Sequence, residues 1–231
     1  MKAALDLAAY DTLSFDCYGT LIDWEAGIVA ALSPLLAHND RELAAADLLE
    51  AFARHESTVQ ERNPALVYSA LLTAVHRAVA SDLGLATTDE LDEMFAASVA
   101  GWPPFADSAG ALERLATRYR LVILSNVDEA SFAASALQLG VDFDAVYTAQ
   151  QIGSYKPDPA NFVYLLEHET GRVLHVAQSL YHDHAPAKAA GMDTVWVDRQ
   201  AGGGGATPPA PSATYDMRFE SLAEFAAAAG V

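Results

Sequence analysis

Cysteine is almost missing from this chain: Cys17 is the single one among 231 residues. One thiol excludes an intrachain disulfide framework and fits a reducing compartment. Positive charge is scarce as well. Lys and Arg total 13 against 31 Asp and Glu, for a formal net charge of −18. A surface of that sign repels nucleic acid phosphates and anionic membranes, so neither is expected as a partner. It draws in no anion from afar, and any anion site has to be a local pocket of positive charge. No apolar run reaches the length of a membrane span, because charges interrupt the alanine-rich segments. Residues 1–10 lack the basic stretch and following apolar run of a secretory signal. These absences lead to the expectation of a cytoplasmic protein. What is present is 52% apolar and 19% charged residues, a composition that folds. The length suits one good core and a smaller accessory domain.

Hydrophobic periodicity divides the chain. Leu13, Ser14 and Phe15 read as a short strand with Asp16 at its end. Residues 24–100 then show almost only helical pattern. Ile28, Leu32, Leu35 and Leu36 share one face, as do Leu48, Leu49, Phe52 and Ala53. After Pro64, Leu66, Ala70, Leu71, Ala74 and Val75 predict a helix that the proline would open. Residues 89–100 predict another, stopped by Gly101 and the pair Pro103-Pro104. From Phe105 onward helices and strands alternate. Strands are expected at 121–124, 145–148, 173–177 and 194–197, and helices at 109–118, 130–139, 159–168, 185–190 and 221–229. The run Leu121-Val122-Ile123-Leu124 has the continuous apolar character of a strand buried on both faces. Such alternation implies an α/β fold: a Rossmann-like, doubly wound parallel sheet, with an all-helical cap domain inserted after the first strand. The expected division is residues 1–21 and 101–231 for the core and 22–100 for the cap. Residues 202–211, rich in Gly and Pro, read as a flexible surface loop.

Open parallel sheets bind ligands at the carboxyl ends of their strands. The first strand delivers Asp16. The second delivers Ser125 and Asn126. The loop after the third carries Lys156, and the fourth delivers Gln178, Ser179 and then Asp183. Two carboxylates, a lysine, hydroxyls and amides thus converge on one edge. A lysine close to a carboxylate favours its charged form. An ionised, partly desolvated carboxylate can attack carbon or phosphorus. The resulting ester needs water, for which a second carboxylate can act as base. Thr20, Ser125 and Asn126 can donate hydrogen bonds to a substrate anion or orient the nucleophile.

These segments have a familiar form. Phe15-Asp16-Cys17-Tyr18-Gly19-Thr20-Leu21 resembles the first motif of the haloacid dehalogenase superfamily. Leu124-Ser125-Asn126 resembles its second, Lys156-Pro157-Asp158 its third, and Ser179 through Asp183 stands at the place of its fourth. Most members of that superfamily are magnesium-dependent phosphatases whose first motif reads Asp-x-Asp. Here Tyr18 stands at the second Asp, and Gln178 where an acidic magnesium ligand is expected. Two of the usual oxygens of a hard-cation site are missing, so the resemblance implies no metal and no cofactor. A tyrosine at that place is similar to the L-2-haloacid dehalogenases. The mechanism they imply is displacement of halide from a short 2-haloalkanoate by Asp16, and hydrolysis of the ester by water that Asp183 activates. Lys156 holds Asp16 ionised, and the product is a 2-hydroxy acid. Ser125 and Asn126 would bind the substrate carboxylate or the halide. Tyr18, Gln178 and Ser179 would face the substrate with them.

The chain departs from that group in three places. Gln178 and Leu180 replace a Ser and an Asn, Phe162 replaces a Tyr, and the halide-cradling cap arginine has three candidates, Arg41, Arg54 and Arg62. His182 and His184 flank Asp183; His182 is a candidate pocket residue. Cys17, turned to the other side by strand alternation, is expected to be buried packing. Asp23 is expected to cap a helix. Trp24, Trp102 and Phe105 belong at the cap–core junction, with Trp24 a candidate border of the pocket; Tyr155 stays open. The small-molecule substrate is expected to be anionic, and the apolar cap helices permit a homodimer or fill one core equally well. The competing readings are another hydrolase of the superfamily, phosphatase included, and a catalytically silent member.

Overall fold

The structure, a computed structural model, describes residues 5–201 and 206–231. Its centre is a six-stranded sheet in the order β3-β2-β1-β4-β5-β6, every pair parallel. The strands are β1 (Thr12–Phe15), β2 (Arg120–Ser125), β3 (Ala145–Thr148), β4 (Val173–Ala177), β5 (Asp193–Val197) and β6 (Met217–Phe219). All residues of β1 and β4, the two central strands, are buried, as their central, helix-covered position requires. Helices α5 (Ser108–Ala116), α6 (Glu129–Leu139), α7 (Ala149–Ile152), α8 (Pro159–His168), α9 (Ala185–Ala189) and α10 (Leu222–Ala228) connect and flank the strands. The strand order reverses between β1 and β4, which opens the crevice where sheets of this class bind ligands.

Between β1 and α5 lies the cap: α1 (Trp24–His38), α2 (Ala45–Arg62), α3 (Tyr68–Asp82), α4 (Asp89–Ala96) and a 3₁₀ turn, Ser98–Gly101. Asp23 caps α1, its carboxylate accepting from the Ala26 amide at 3.1 Å, as expected. The chain enters and leaves the cap at one place. Ile22 bridges both Tyr18 and Pro104, Asp23 N donates to Pro103 O at 2.8 Å, and Phe105 N donates to Leu21 O at 3.0 Å. No helix among the described residues is long and apolar enough to cross a membrane.

Three sequence expectations need correction. The third cap helix starts at Tyr68, not at Pro64, and buries Tyr68, Leu71, Leu72, Val75, His76 and Val79, while Ala70 is exposed. Pro64 lies in the preceding turn, so tertiary packing of Tyr68 overrides the local signal. The helix expected over 89–100 ends at Ala96 and continues as the 3₁₀ turn, which delivers Trp102 into the core at 1% exposure. Strand β6 was not foreseen, because three residues with one apolar side chain at each end carry no readable alternation. Residues 202–205 of the expected loop lie outside the described residues. Its remainder is tied down, with Ala206 N donating to Glu25 Oε1 at 2.7 Å.

Gly27 sits where α1 passes Trp102. A Cβ there would lie 2.4 Å from the Trp102 ring, so Gly27→Ala should cost about 1–3 kcal/mol by overpacking. Gly110, in α5, has open space around it, and Gly110→Ala should gain about 0.5–1 kcal/mol. Urea unfolding of the two variants at constant slope checks both signs.

Candidate active site

Asp16 leaves the end of β1 and is buried. Its Oδ1 accepts from Lys156 Nζ at 2.8 Å and its Oδ2 from the Thr20 hydroxyl at 2.7 Å. Thr20 is held in turn: Gln178 N donates to its Oγ1 at 2.9 Å, and Arg199 donates to its carbonyl at 2.8 and 3.1 Å. Lys156 reaches in from the loop between α7 and α8 and is 2% exposed. Its ammonium also donates to Asp183 Oδ1 at 2.6 Å and to Leu124 O at 2.9 Å. One cation therefore stands between two carboxylates, and all three of its protons are used. Asp183 arrives on a π-helical turn, Leu180–His184, after β4. A second donor meets its Oδ1, the ring of His175 at 3.0 Å. Its Oδ2 is buried without a hydrogen-bond partner, as is Ser125 Oγ.

Burial weighs against the ammonium of Lys156, but Asp16 and Asp183 outweigh it, so the lysine titrates above its ordinary value and stays charged. Burial also weighs against charge on Asp183. The nearby ammonium and the His175 hydrogen bond overcome it, and this carboxyl is held well below the usual range. Asp16 goes the other way: burial raises it, Lys156 pulls it down, and the Asp183 charge pushes it up again. Lys156 was expected to hold Asp16 ionised. Because Asp183 shares the ammonium and has His175 besides, Asp183 is the more firmly ionised of the two.

These groups floor a cavity of about 70 Å³ between core and cap. That is roughly half the ~150 Å³ of an engineered apolar cavity that holds benzene, so the space suits a molecule of few heavy atoms. Tyr18, Trp24, Trp102 and Tyr68 supply aromatic walls. The Tyr18 hydroxyl points away from Asp16, 2.8 Å from Ser135 Oγ and 3.3 Å from Ser131 O on α6. Its ring meets Trp102 edge to face at 5.5 Å. Ala206, Thr207 and Pro208 close one side, so part of the Gly- and Pro-rich segment is pocket wall rather than plain surface connection.

The sequence-derived residues take distinct places. Asp16, Tyr18, Ser125, Asn126, Lys156, Ser179 and Asp183 all line the cavity. The Asn126 amide is already engaged at both ends: Nδ2 donates to Lys156 O at 2.9 Å and Oδ1 accepts from Lys156 N at 2.6 Å. It fixes the lysine's backbone instead of being free for an anion. Gln178 acts through its backbone, donating to Thr20 and accepting from Trp196 Nε1 at 2.9 Å. His182 lines the cavity, and burial lowers it to about 4, so its ring is neutral near pH 7. Its Nδ1 lies 3.1 Å from Ser179 Oγ. His184 turns away, with ring nitrogens 3.0 Å from Thr194 Oγ1 and 3.0 Å from Ala177 O. Cys17 is buried, Phe162 packs edge-on against His175, and the Tyr155 hydroxyl donates to Leu66 O at 2.6 Å.

The cap arginines, left open by the sequence, lie elsewhere. None of Arg41, Arg54 and Arg62 lines this cavity: all three are exposed, and Arg54 pairs with Asp82. On the helix that carries Arg54 and Arg62, the residue that does face the cavity is Glu56, its carboxylate accepting from Tyr68 OH at 2.8 Å. Burial pushes Glu56 up to about 7 against the pull of that hydrogen bond. Sequence reasoning missed Glu56, His175 and Arg199. A signal for Glu56 was present: it continues the buried stripe of Leu48 and Phe52 at helical spacing. His175 was a polar residue inside a strand otherwise fully apolar.

Residues 10–191 match the family profile of the haloacid dehalogenase-like hydrolases. The chain belongs to that family. No protein of curated description matches it. Among solved structures, the L-2-haloacid dehalogenase PA0810 is 22% identical with a TM-score of 0.79, covering 96% of this chain and 99% of that one. The L-2-haloacid dehalogenase of Xanthobacter autotrophicus, with chloropropionic acid covalently bound, is 19% identical at a TM-score of 0.78, covering 94% and 97%. The HAD-hydrolase YfnB from Bacillus subtilis, bound to magnesium, is 17% identical at a TM-score of 0.77, covering 96% and 99%. At these identities the likeness shows the fold. The donor set does not fit a magnesium ion. Among the described residues no three acidic, His or Cys side chains gather as ligands, and the Lys156 ammonium stands between the two carboxylates that converge. A hard cation needs several oxygens there.

Lys156→Met leaves two buried carboxylates facing each other, and should cost about 3–5 kcal/mol of stability at neutral pH. Without the ammonium both carboxyls titrate above their unfolded values. Stability of the variant should therefore be highest at acid pH and fall as pH rises toward neutrality, because its folded state then holds the extra protons. Urea unfolding at about pH 5 and about pH 7.5 measures the slope; a variant no weaker at the higher pH would contradict the shared-ammonium arrangement.

Proposed function

We propose that this haloacid dehalogenase-like hydrolase is a hydrolytic dehalogenase of short compounds halogenated next to a carboxyl function, 2-haloalkanoic acids and their derivatives. Tyr18 carries this reading. The position that would supply an acid to a leaving group holds a phenol tied back to α6, and burial raises it well above its ordinary value. A phosphate ester leaves as an alkoxide that needs a proton. Halide leaves without one. The fold's likeness to dehalogenases supports the same reading.

The steps follow from the contacts. Asp16 attacks the halogen-bearing carbon from behind, a C–O bond forms, the carbon–halogen bond breaks, and halide departs. The aspartyl ester carbonyl remains beside Lys156 and Thr20, whose donors stabilise the oxyanion that forms when water adds to it. Asp183 Oδ2, buried and unpartnered, holds and polarises that water. With its carboxyl held low, Asp183 acts more by orientation and charge than as a strong proton acceptor, and neutral His182 stands beside it. Collapse of the adduct returns Asp16 and releases the 2-hydroxy compound and a proton. None of these steps asks for a metal or an organic cofactor. Cytoplasmic location and a homodimer stay with this proposal as expectations.

Purified protein with EDTA should release halide from L- or D-2-chloropropionate or from chloroacetate, and Asp16→Asn should lose about 10³-fold or more of that rate. A single turnover in ¹⁸O-labelled water should place the label first in the Asp16 carboxylate. Phosphate release in a magnesium-supplemented ester panel, with no halide from any substrate, would replace this reading with a phosphatase.

A further inference from the structure

The cap wall of the cavity carries a carboxylate and no counter-charge. Glu56 faces the same space as Asp16 and Asp183, and Lys156 is the one lysine or arginine among the described residues lining it. That ammonium is consumed, since its three protons go to Asp16, Asp183 and Leu124 O. The neighbours of Glu56 on the cap are hydroxyl and amide bearing: Tyr68 on α3, and Ser57 and Gln60 on its own helix. The other titratable groups around it supply no cation to offset it. They are Tyr155 beside Lys156, neutral His182 on the π-helical turn and Tyr18 after β1. A substrate seated over Asp16 turns its remaining polar group to this wall in a desolvated space. A second carboxylate there meets like charge, whereas a carboxamide gives N–H to Glu56 and takes a hydrogen bond from Ser57 or Gln60 beside it.

We infer that Glu56 sets the charge class of the substrate, so that the cavity prefers a short halogenated compound whose activating group is an uncharged carboxamide over the corresponding carboxylate. The choice of substrate rests on the dehalogenase reading above; the charge preference of the cavity does not. Ionisation of Glu56 near neutrality makes the preference depend on pH. Protonated, Glu56 can donate to a carboxylate; ionised, it repels one.

The test has a turnover arm and a binding arm. In the first, kcat/KM is measured for 2-chloropropionamide and 2-chloropropionate across the neutral range, on the full chain and on Glu56→Gln. At about pH 8.5 the amide should lead by about tenfold. The lead should narrow as Glu56 takes up its proton, and in Glu56→Gln the ratio should be flat with pH. A carboxylate preferred at the higher pH, or a ratio that Glu56→Gln leaves unchanged, would overturn the inference. In the second arm, calorimetry compares unreactive propionamide and propionate on the same two proteins. Amide preference that Glu56→Gln removes, with no halide from either chloro compound, sinks the dehalogenase reading and leaves the charge preference standing. Propionate binding at least as well as propionamide, or neither binding, overturns the inference whatever the turnover shows.

Discussion

The ammonium of Lys156 shapes everything else in this site. It is buried, it lies between Asp16 and Asp183, and it has to be charged for two carboxylates to coexist in a space with little water. Several otherwise unrelated features make sense as ways of holding it. Asn126 spends both ends of its amide on the backbone of Lys156. Leu124 gives up its carbonyl at the end of β2. Thr20 takes the second oxygen of Asp16, which keeps that carboxylate turned to the lysine. His175 takes up part of the Asp183 charge. Two buried atoms of this network have no hydrogen-bond partner, Asp183 Oδ2 and Ser125 Oγ, both on residues that line the cavity. Buried polar atoms seldom go unpaired where nothing is to be bound.

Much of this was readable from the chain. Asp16, Lys156 and Asp183 come after strands that could be located from the sequence pattern, and a parallel sheet brings such strand ends together by its topology. Residues on the cap were harder. Arg41, Arg54 and Arg62 have the charge an anion site needs, yet helix phase places Arg54 and Arg62 outward, Arg41 is exposed in the link between α1 and α2, and Glu56 lies on the stripe that Leu48 and Phe52 begin. Residue type alone left the three arginines open as candidates; helix phase singles out Glu56 as the charged residue of α2 that reaches the cavity. What the polar atoms of Asn126 and Gln178 do depends on a partner thirty residues away in the first case and on backbone geometry in the second. Neither is encoded locally. Strand β6 is three residues long and leaves no periodic trace.

The site divides its labour between two bodies of different character. The sheet supplies the charged, hydrogen-bonded floor. The cap supplies aromatic walls and one carboxyl group whose ionisation lies in the neutral range. The groups of the floor are thus locked by several contacts each, while Glu56, the proposed recognition group, is held by a hydrogen bond from Tyr68. Acid groups of this kind respond to small changes in their surroundings, since desolvation and a single donor set their balance.

The helical insert leaves the core and returns to it at Ile22 and Pro104, which pair with each other. Two chain crossings that touch can be bridged by a turn of a few residues. The sheet with Asp16, Lys156 and Asp183 is thus topologically independent of what is inserted there. Lineages that lengthen, shorten or replace the insert would acquire new substrate walls over an unchanged reacting centre, and this one point on the chain is where a protein engineer would exchange them.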